Sequence, residues 1–290
     1  MKTVVQENGQ SMNSKVITFV ESSDIPNSAL WVAEAKFGFR YVNEKILALK
    51  NHSNILEVGC GSGILLSVFS EMYPNHLFDG IEPFGDGFSS LKELNALVQE
   101  SGVDISPCSY ENYETDKKYD LIYCVNVFEH VENWRHFLEW VSEKLKDDGV
   151  FLVLCPNYSF PYESHFRIPV LGTKALTYQF FKRHIEKLEQ DTQSFGLWAS
   201  LNFVKKRDVK KFIRDNRTVL NLELSDETEI IDDIVSRVVE DEEFRKRQRF
   251  IGTIGLFLRK IGFLRFIKLA PNLIPYMKLS FRKRCADHPS

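Results

Sequence analysis

Nine residues, Ile55-Leu56-Glu57-Val58-Gly59-Cys60-Gly61-Ser62-Gly63, constrain this chain more than any other segment. An apolar run ends in three glycines at alternate positions, and apolar residues at helical spacing follow from Ile64 to Met72. Glycine serves where the backbone turns sharply or where a ligand lies against it with no Cβ between. A strand, a glycine turn and a helix N-terminus together form a cradle for a nucleoside-type cofactor. Dinucleotide folds space these glycines as G-x-G-x-x-G. Here the third glycine comes one residue early, and Ile64 takes the later place.

The surrounding pattern alternates strand and helix. A helix is expected over Ser28 to Lys50, then strands at Ile55–Val58, Leu77–Ile81, Val103–Ser106, Tyr119–Val125 and Val150–Cys155. Helices are expected at Ile64–Met72, Gly87–Glu100 and Trp134–Leu145. Such alternation predicts an α/β fold: a Rossmann-like, doubly wound, mostly parallel sheet with helices on both faces and ligands at the carboxyl ends of the strands. After Pro156 the pattern breaks into an aromatic, proline-containing insertion, 157–206, with patchy helical character. Beyond it the spacing predicts a helix at Arg207–Asp215, a strand at Val219–Leu224 and a helix at Glu229–Val239. The organisation expected is a flexible N-terminus (1–27), one domain (28–225) and a helical, basic and apolar C-terminal segment (226–290).

Composition excludes several classes. A net charge of -3 gives no reason to expect a nucleic-acid partner. Five cysteines, with no C-x-x-C pair, predict neither a disulfide framework nor a metal cluster. Met1 to Ser14 has no apolar core of a secretory signal, and no apolar run approaches the roughly 20 residues that span a bilayer. A cytoplasmic protein, at most peripherally bound to a membrane, is the expectation.

Glu82 ends the second expected strand and precedes Pro83. A carboxylate there suits the two hydroxyls of a ribose lying across the strand ends. Glu57, inside an apolar strand, needs a partner, because a buried lone carboxylate is costly. It either orients the glycine turn through backbone N–H groups or meets a cationic amine. Glu129-His130, past the fourth strand, pairs a carboxylate with a side chain that titrates near neutrality, a suitable base for an acceptor hydroxyl. A histidine capping or packing under the next helix is the plainer reading. Pro156 to Pro169 sets Tyr158, Tyr162, Glu163, His165 and Arg167 between prolines. These side chains suit a polar or anionic acceptor, with Arg167 available to a phosphate or carboxylate and His165 as an alternative base.

Several motifs in order now carry a resemblance. Glu57 to Gly63, Gly80-Ile81-Glu82-Pro83, Tyr119 to Cys124, Val127-Phe128-Glu129-His130-Val131, Leu145 with Gly149, and Pro156-Asn157 resemble class I S-adenosylmethionine-dependent methyltransferases, most similarly the branch holding the ubiquinone-biosynthesis O-methyltransferases. The resemblance covers Asn54 to Asn157. It implies S-adenosylmethionine as cofactor and S-adenosylhomocysteine as product. It places Gly59, Gly61 and Gly63, with Cys60 in the same turn, along the methionine half. It gives the ribose to Glu82 with Glu57 in support, the adenine to Tyr110 and Glu111, and the methionine carboxylate or sulfonium to Asn126. Some relatives hold a divalent cation with an acid three residues before the Glu-His pair. Asn126 stands there in this chain, so no metal is expected. The activity implied is methyl transfer to an oxygen of a small-molecule, glycan or lipid-linked acceptor. A non-catalytic scaffold and an NAD-type oxidoreductase remain as alternatives.

The C-terminal segment has its own chemistry. Ten acidic residues fall between Glu223 and Glu243, and twelve Lys/Arg between Arg245 and Ser290 against Asp287 alone. Phe250 to Leu269 interleaves these bases with large apolar residues. Drawn as one continuous helix, the segment puts Arg265 on the side of Ile254, Leu258 and Ile261, a poor separation for an interfacial helix. Peripheral membrane contact through 245–290, packing on the core and contact with a second subunit all remain open.

Overall fold

A computed structural model describes residues 14–22, 28–85, 91–99 and 103–284. Cys285, the start of the helix expected from Gly87 and most of the expected flexible N-terminus lie outside the described residues. Nine strands are described: β1 (Asn54–Val58), β2 (Leu77–Ile81), β3 (Ile105–Ser106), β4 (Tyr119–Val125), β5 (Leu145–Pro156), β6 (Tyr162–Glu163), β7 (Ile168–Pro169), β8 (Leu222–Glu227) and β9 (Tyr276–Lys283). Seven form one sheet in the order β3-β2-β1-β4-β5-β9-β8, and β6-β7 form a separate hairpin. The α/β, mostly parallel architecture expected from the sequence is present. The chain divides into two compact units, Met1–Tyr123 and Cys124–Ser290.

In the first unit β1 pairs in parallel with β2 and β4, and β2 with β3. Ile55 and Leu56 are wholly buried, as continuous apolar strands of a parallel sheet must be. Asp120 accepts the Asn54 backbone N–H at 2.7 Å and so fixes where β1 begins. The helix Ile64–Met72 buries every residue from Ile64 to Phe69, and Phe69 stacks on Phe39 of the helix Ser28–Leu47 at 5.2 Å. One expectation is corrected here. Residues Lys15–Glu21, assigned to a flexible start, form a helix, capped by Ser14 and anchored by buried Val16, Ile17 and Val20 on one face.

In the second unit β9 pairs antiparallel with both β5 and β8, so that Phe281 lies opposite Phe151 on one side and Leu224 on the other. The C-terminal segment is therefore not helical throughout. Met277, Leu279 and Phe281 alternate along β9 and are fully buried, but Lys278 among them and Arg282 and Lys283 after them disguise the period in the sequence. β8 lies three residues later than the strand expected at Val219–Leu224, because Arg217–Leu220 is a helical turn. The insertion, expected to be patchy, contains a 19-residue helix, Lys174–Thr192. Thr173 caps its N-terminus, and of its described residues Thr177 and Ile185 are buried. So narrow a buried face leaves little apolar periodicity to read.

Candidate functional site

The glycine turn in the first unit is shaped by left-handed backbone: φ is 70° at Gly59, 52° at Gly61 and 77° at Gly63. Any L side chain is strained there. At Gly63 space fails as well, since a Cβ would sit 2.5 Å from Ile105 Cδ1. The turn is tied down at several points. Gly59 and Cys60 donate backbone N–H groups to the Ile81 carbonyl at 2.8 and 3.1 Å, and Asn95 Nδ2 donates to the Gly61 carbonyl at 3.1 Å. Asn95 escaped notice in the sequence, where a helical asparagine carries no local signal of this contact.

Glu82, not Glu57, orients the turn. Its Oε2 accepts the Gly61 N–H at 2.9 Å and its Oε1 accepts the Phe84 N–H at 2.9 Å. Burial raises its pKa, and the two backbone hydrogen bonds oppose that. Each carboxylate oxygen has a second lone pair, so both can still accept from a ligand hydroxyl. Glu57 faces Tyr123 instead, whose phenol donates to Oε2 at 3.0 Å. Its register partners are Gly80 and Tyr123 on the neighbouring strands. Burial pushes the Glu57 carboxyl up to about 8, with Tyr123 pulling it down and Glu82 adding to the rise. Of its two expected roles, the structure therefore shows no hydrogen bond from Glu57 to the turn. Cys60 is buried, and burial drives its thiol well above the ordinary range. Tyr110 is buried in the turn Tyr110–Asn112 after β3, and Glu111 beside it is exposed.

In the second unit Asn126 follows β4 in a left-handed conformation, φ 55°. Its N–H donates to the Leu154 carbonyl at 2.7 Å, and its side-chain oxygen accepts from the Tyr276 phenol. The turn Phe128–His130 carries the Glu-His pair. Asn202 clamps this turn: its side chain donates to the carbonyls of Phe128 and Val131 at 2.7 and 2.8 Å, and its N–H donates to the Glu129 carbonyl at 2.7 Å. Nothing in the sequence pairs Asn202 with a turn seventy residues earlier. Glu129 is wholly buried, 3.9 Å from His130 Nε2.

His130 Nδ1 lies 2.8 Å from Ser200 Oγ, and the Ser200 hydroxyl donates to the Leu197 carbonyl at 2.8 Å. The hydroxyl has one proton, so His130 Nδ1–H is the donor and Nε2 carries the lone pair. Burial pushes the His130 pKa well below its ordinary value, and nearby His165 and Lys174 add to the fall.

The proline-flanked loop is a hairpin, β6 against β7, with Ser164 to Arg167 at its tip. Arg167 holds φ 59° and is exposed, and Tyr162 is half-buried. Glu163 and Tyr158, expected to touch an acceptor, are instead buried. Glu163 Oε1 accepts from His165 N–H at 3.1 Å, from His165 Nδ1 at 2.6 Å and from the Tyr158 phenol at 3.2 Å. Its Oε2 accepts the Phe166 N–H at 2.6 Å. Both hold the hairpin tip. Burial alone would raise the Glu163 pKa, but His165 and the backbone donors outweigh it and the net shift is downward. His165 meets His130 edge-to-face, ring centres 5.4 Å apart. Donor atoms of Glu129, His130 and His165 lie within 4.8 Å of one another. Tetrahedral coordination with bonds of about 2.1 Å needs donor pairs roughly 3.4 Å apart, so the three would have to draw in by about an ångström to hold a cation.

Comparison with known proteins gives the family. The family model described as "Methyltransferase domain" matches residues 35–203, more than half of the chain. An uncharacterized protein of Mycobacterium tuberculosis is 33% identical over 219 residues, covering 74% of this chain and 73% of that one. The ubiquinone biosynthesis O-methyltransferase of Rickettsia canadensis is 29% identical over 123 residues, covering 40% of this chain and 50% of that protein. Among solved structures, the plantazolicin methyltransferase BpumL in complex with S-adenosylhomocysteine aligns with a TM-score of 0.46 at 14% identity, covering 93% of this chain and 90% of that one. The family match removes the scaffold and oxidoreductase alternatives, and with the early third glycine and the motifs from Glu57 to Asn157 it makes the chain a member of the class I S-adenosylmethionine-dependent methyltransferases.

Proposed function

We propose that this methyltransferase acts on a hydroxyl oxygen of a small-molecule, glycan or lipid-linked acceptor, with His165 as the base. The residues of the first unit fit the cofactor. Three left-handed glycines keep the turn clear of side chains, and the Glu82 carboxylate retains acceptor capacity for ribose hydroxyls while holding the turn. Tyr110 and Glu111 border the adenine in this reading, and Asn126 the methionine end. When bound, S-adenosylmethionine supplies an electrophilic methyl group on a sulfonium and leaves as the neutral sulfide.

The observation that carries the base assignment is the 2.6 Å contact between a buried carboxylate, Glu163, and His165 Nδ1. The carboxylate accepts Nδ1–H, fixes the tautomer and stabilises the ring once it is protonated. His165 Nε2 then takes the acceptor O–H proton as the O–CH3 bond forms and the S–CH3 bond breaks. His130, whose buried ring resists protonation, is the weaker base; in this reading it packs against His165 and keeps its plane in place. Arg167 and Tyr162 border the acceptor.

One observation favours a second reading. Glu129, His130 and His165 each offer one ligand atom within 4.8 Å of the others, and both imidazoles are oriented through Nδ1. Such oriented imidazoles also suit a divalent cation that would lower the pKa of an acceptor hydroxyl.

Calorimetric titration with S-adenosylmethionine, S-adenosylhomocysteine and NAD tests the cofactor assignment, with binding expected for the two sulfur compounds alone. A screen of hydroxylated acceptors, read as release of S-adenosylhomocysteine, tests the chemistry. Turnover confined to amine acceptors would overturn the oxygen assignment.

A further inference from the structure

We propose that the segment from Ile254 to Leu273 is a docking surface for an anionic lipid bilayer, on which the protein lies without crossing. Among the described residues no helix is long and apolar enough to span a membrane.

The helix Glu242–Lys260 stops at Ile261, and Gly262, with φ 70°, turns the chain into the short helix Leu264–Lys268. A wheel drawn straight through this break places Arg265 wrongly. Within the first helix Ile254 and Phe257 stand three residues apart, with Ile261 a further turn on, and all three are exposed. After the break Phe263, Phe266, Leu269 and Leu273 are exposed as well, Phe257 by 60% and Leu269 by 80%. A run of this size at the surface of a soluble protein marks an interaction site.

The segment is anchored from beneath, so its outward face is a property of the fold. Leu264 is buried. Gly255 lies so close to Val235 of the helix Ile230–Glu240 that a Cβ there would approach to 3.2 Å. Lys268 is held by Glu229 and Asp232, and Arg259 donates to Ser236 Oγ at 2.8 Å.

Charge selects the occupant. No Asp or Glu occurs from Phe244 to Ala286. Lys260 and Arg265 are exposed among the apolar residues, with the Arg265 guanidinium 4.9 Å above the Phe266 ring. Apolar side chains that enter the acyl boundary beside bases that meet headgroups are the signature of interfacial binding. Each base near an anionic surface adds to the attraction, and the sum falls as salt screens it. A second copy meeting this face through the same segment would bring bases against bases, the neighbouring Glu229 and Asp232 being already taken up by Lys268.

The inference rests on the C-terminal geometry and stands apart from the methyl-transfer reading, so its test uses no cofactor or acceptor. Full-length protein is floated with vesicles of phosphatidylcholine alone or with about one-third phosphatidylglycerol. Binding to the anionic vesicles and its loss at high salt are expected. Lys260→Glu with Arg265→Glu should weaken it more than about tenfold, as should Phe257→Ser with Phe266→Ser and Leu269→Ser, both at unchanged melting temperature. Equal binding to neutral vesicles, absence of binding to anionic ones, or undiminished binding by either folded variant would overturn the proposal. So would an analytical-ultracentrifugation dimer that the serine variant converts to monomer, since a second copy would then cover the face.

Discussion

Glu163 Oε1 lies 2.6 Å from His165 Nδ1, and the same carboxylate holds the His165 and Phe166 backbone N–H groups. One buried side chain therefore sets both the turn of the hairpin and the orientation of the imidazole that the turn displays. If His165 is the base, His165→Ala should lower turnover by about 10²–10⁴-fold, with affinity for S-adenosylhomocysteine within about twofold by calorimetry, a change of under 0.5 kcal/mol. Glu163→Gln acts through the same imidazole, so the double variant should be no slower than His165→Ala. Additive losses would show that Glu163 supports the fold and not the base.

Acid should expose the same pair in stability. The Glu163 carboxylate is held below the ordinary range in the folded protein, so the unfolded chain binds its proton first as pH falls. Its contribution is complete above the unfolded pKa and is lost as pH drops through the folded one. Urea unfolding followed from neutrality to about pH 3 should show a steeper acid loss in the parent than in Glu163→Gln. Parallel curves would contradict the shift.

Much of this could be read from residues in sequence, and some could not, for a physical reason. The glycine turn and the parallel strands are local: their signals, alternate glycines and continuous apolar runs, lie in the residues that form them. The clamp of Asn202 on the Phe128–His130 turn and the capture of Asn126 by Tyr276 join segments seventy and more residues apart. No local pattern encodes either. Glu57 and Glu82 show the same limit at short range. Both lie at the cofactor end of their strands, yet which of them holds Gly61 depends on β1–β2 register. The break at Gly262 was legible as a glycine, but only its left-handed φ shows that the amphipathic face changes direction there.

Glu82 carries the turn and, in the proposed role, the ribose. Glu82→Ala removes a charged acceptor from Gly61 and Phe84 together with any ligand contact. Hydrogen bonds to charged groups contribute about 1.5–3 kcal/mol each, so affinity for S-adenosylhomocysteine should fall by at least about tenfold. Glu111→Ala, on an exposed neighbour of the buried Tyr110, should cost less. Unchanged affinity in Glu82→Ala would remove Glu82 from the cofactor site.

Chelation separates the two readings of the Glu129, His130 and His165 trio. With His165 as base, turnover should survive exhaustive treatment with EDTA, and added Zn²⁺ should inhibit by binding the imidazole that takes the proton. Loss of turnover on chelation, restored by a divalent cation, would make the trio a metal centre and displace the base assignment.

Glu57 gives the opposite pH signature to Glu163. Its folded pKa is raised to about 8 from an ordinary value of 4.5, chiefly by burial. Between those values the folded protein keeps a proton that the unfolded chain releases, so the stability tied to this group is full below the lower value and drains away as pH rises through the higher one. The slope from one such group is at most about 1.4 kcal/mol per pH unit. Glu82, also raised by burial, adds in the same direction. Glu57→Gln keeps an acceptor for the Tyr123 phenol without the titrating proton. Denaturant midpoints measured from about pH 5 to 8 should therefore fall with pH in the parent and fall less steeply in Glu57→Gln, the two curves diverging toward the alkaline end. If the variant and parent slopes coincide, the Glu57 carboxyl is not protonated in the native state, and the Tyr123 phenol donates to a carboxylate that ionises as it would in water.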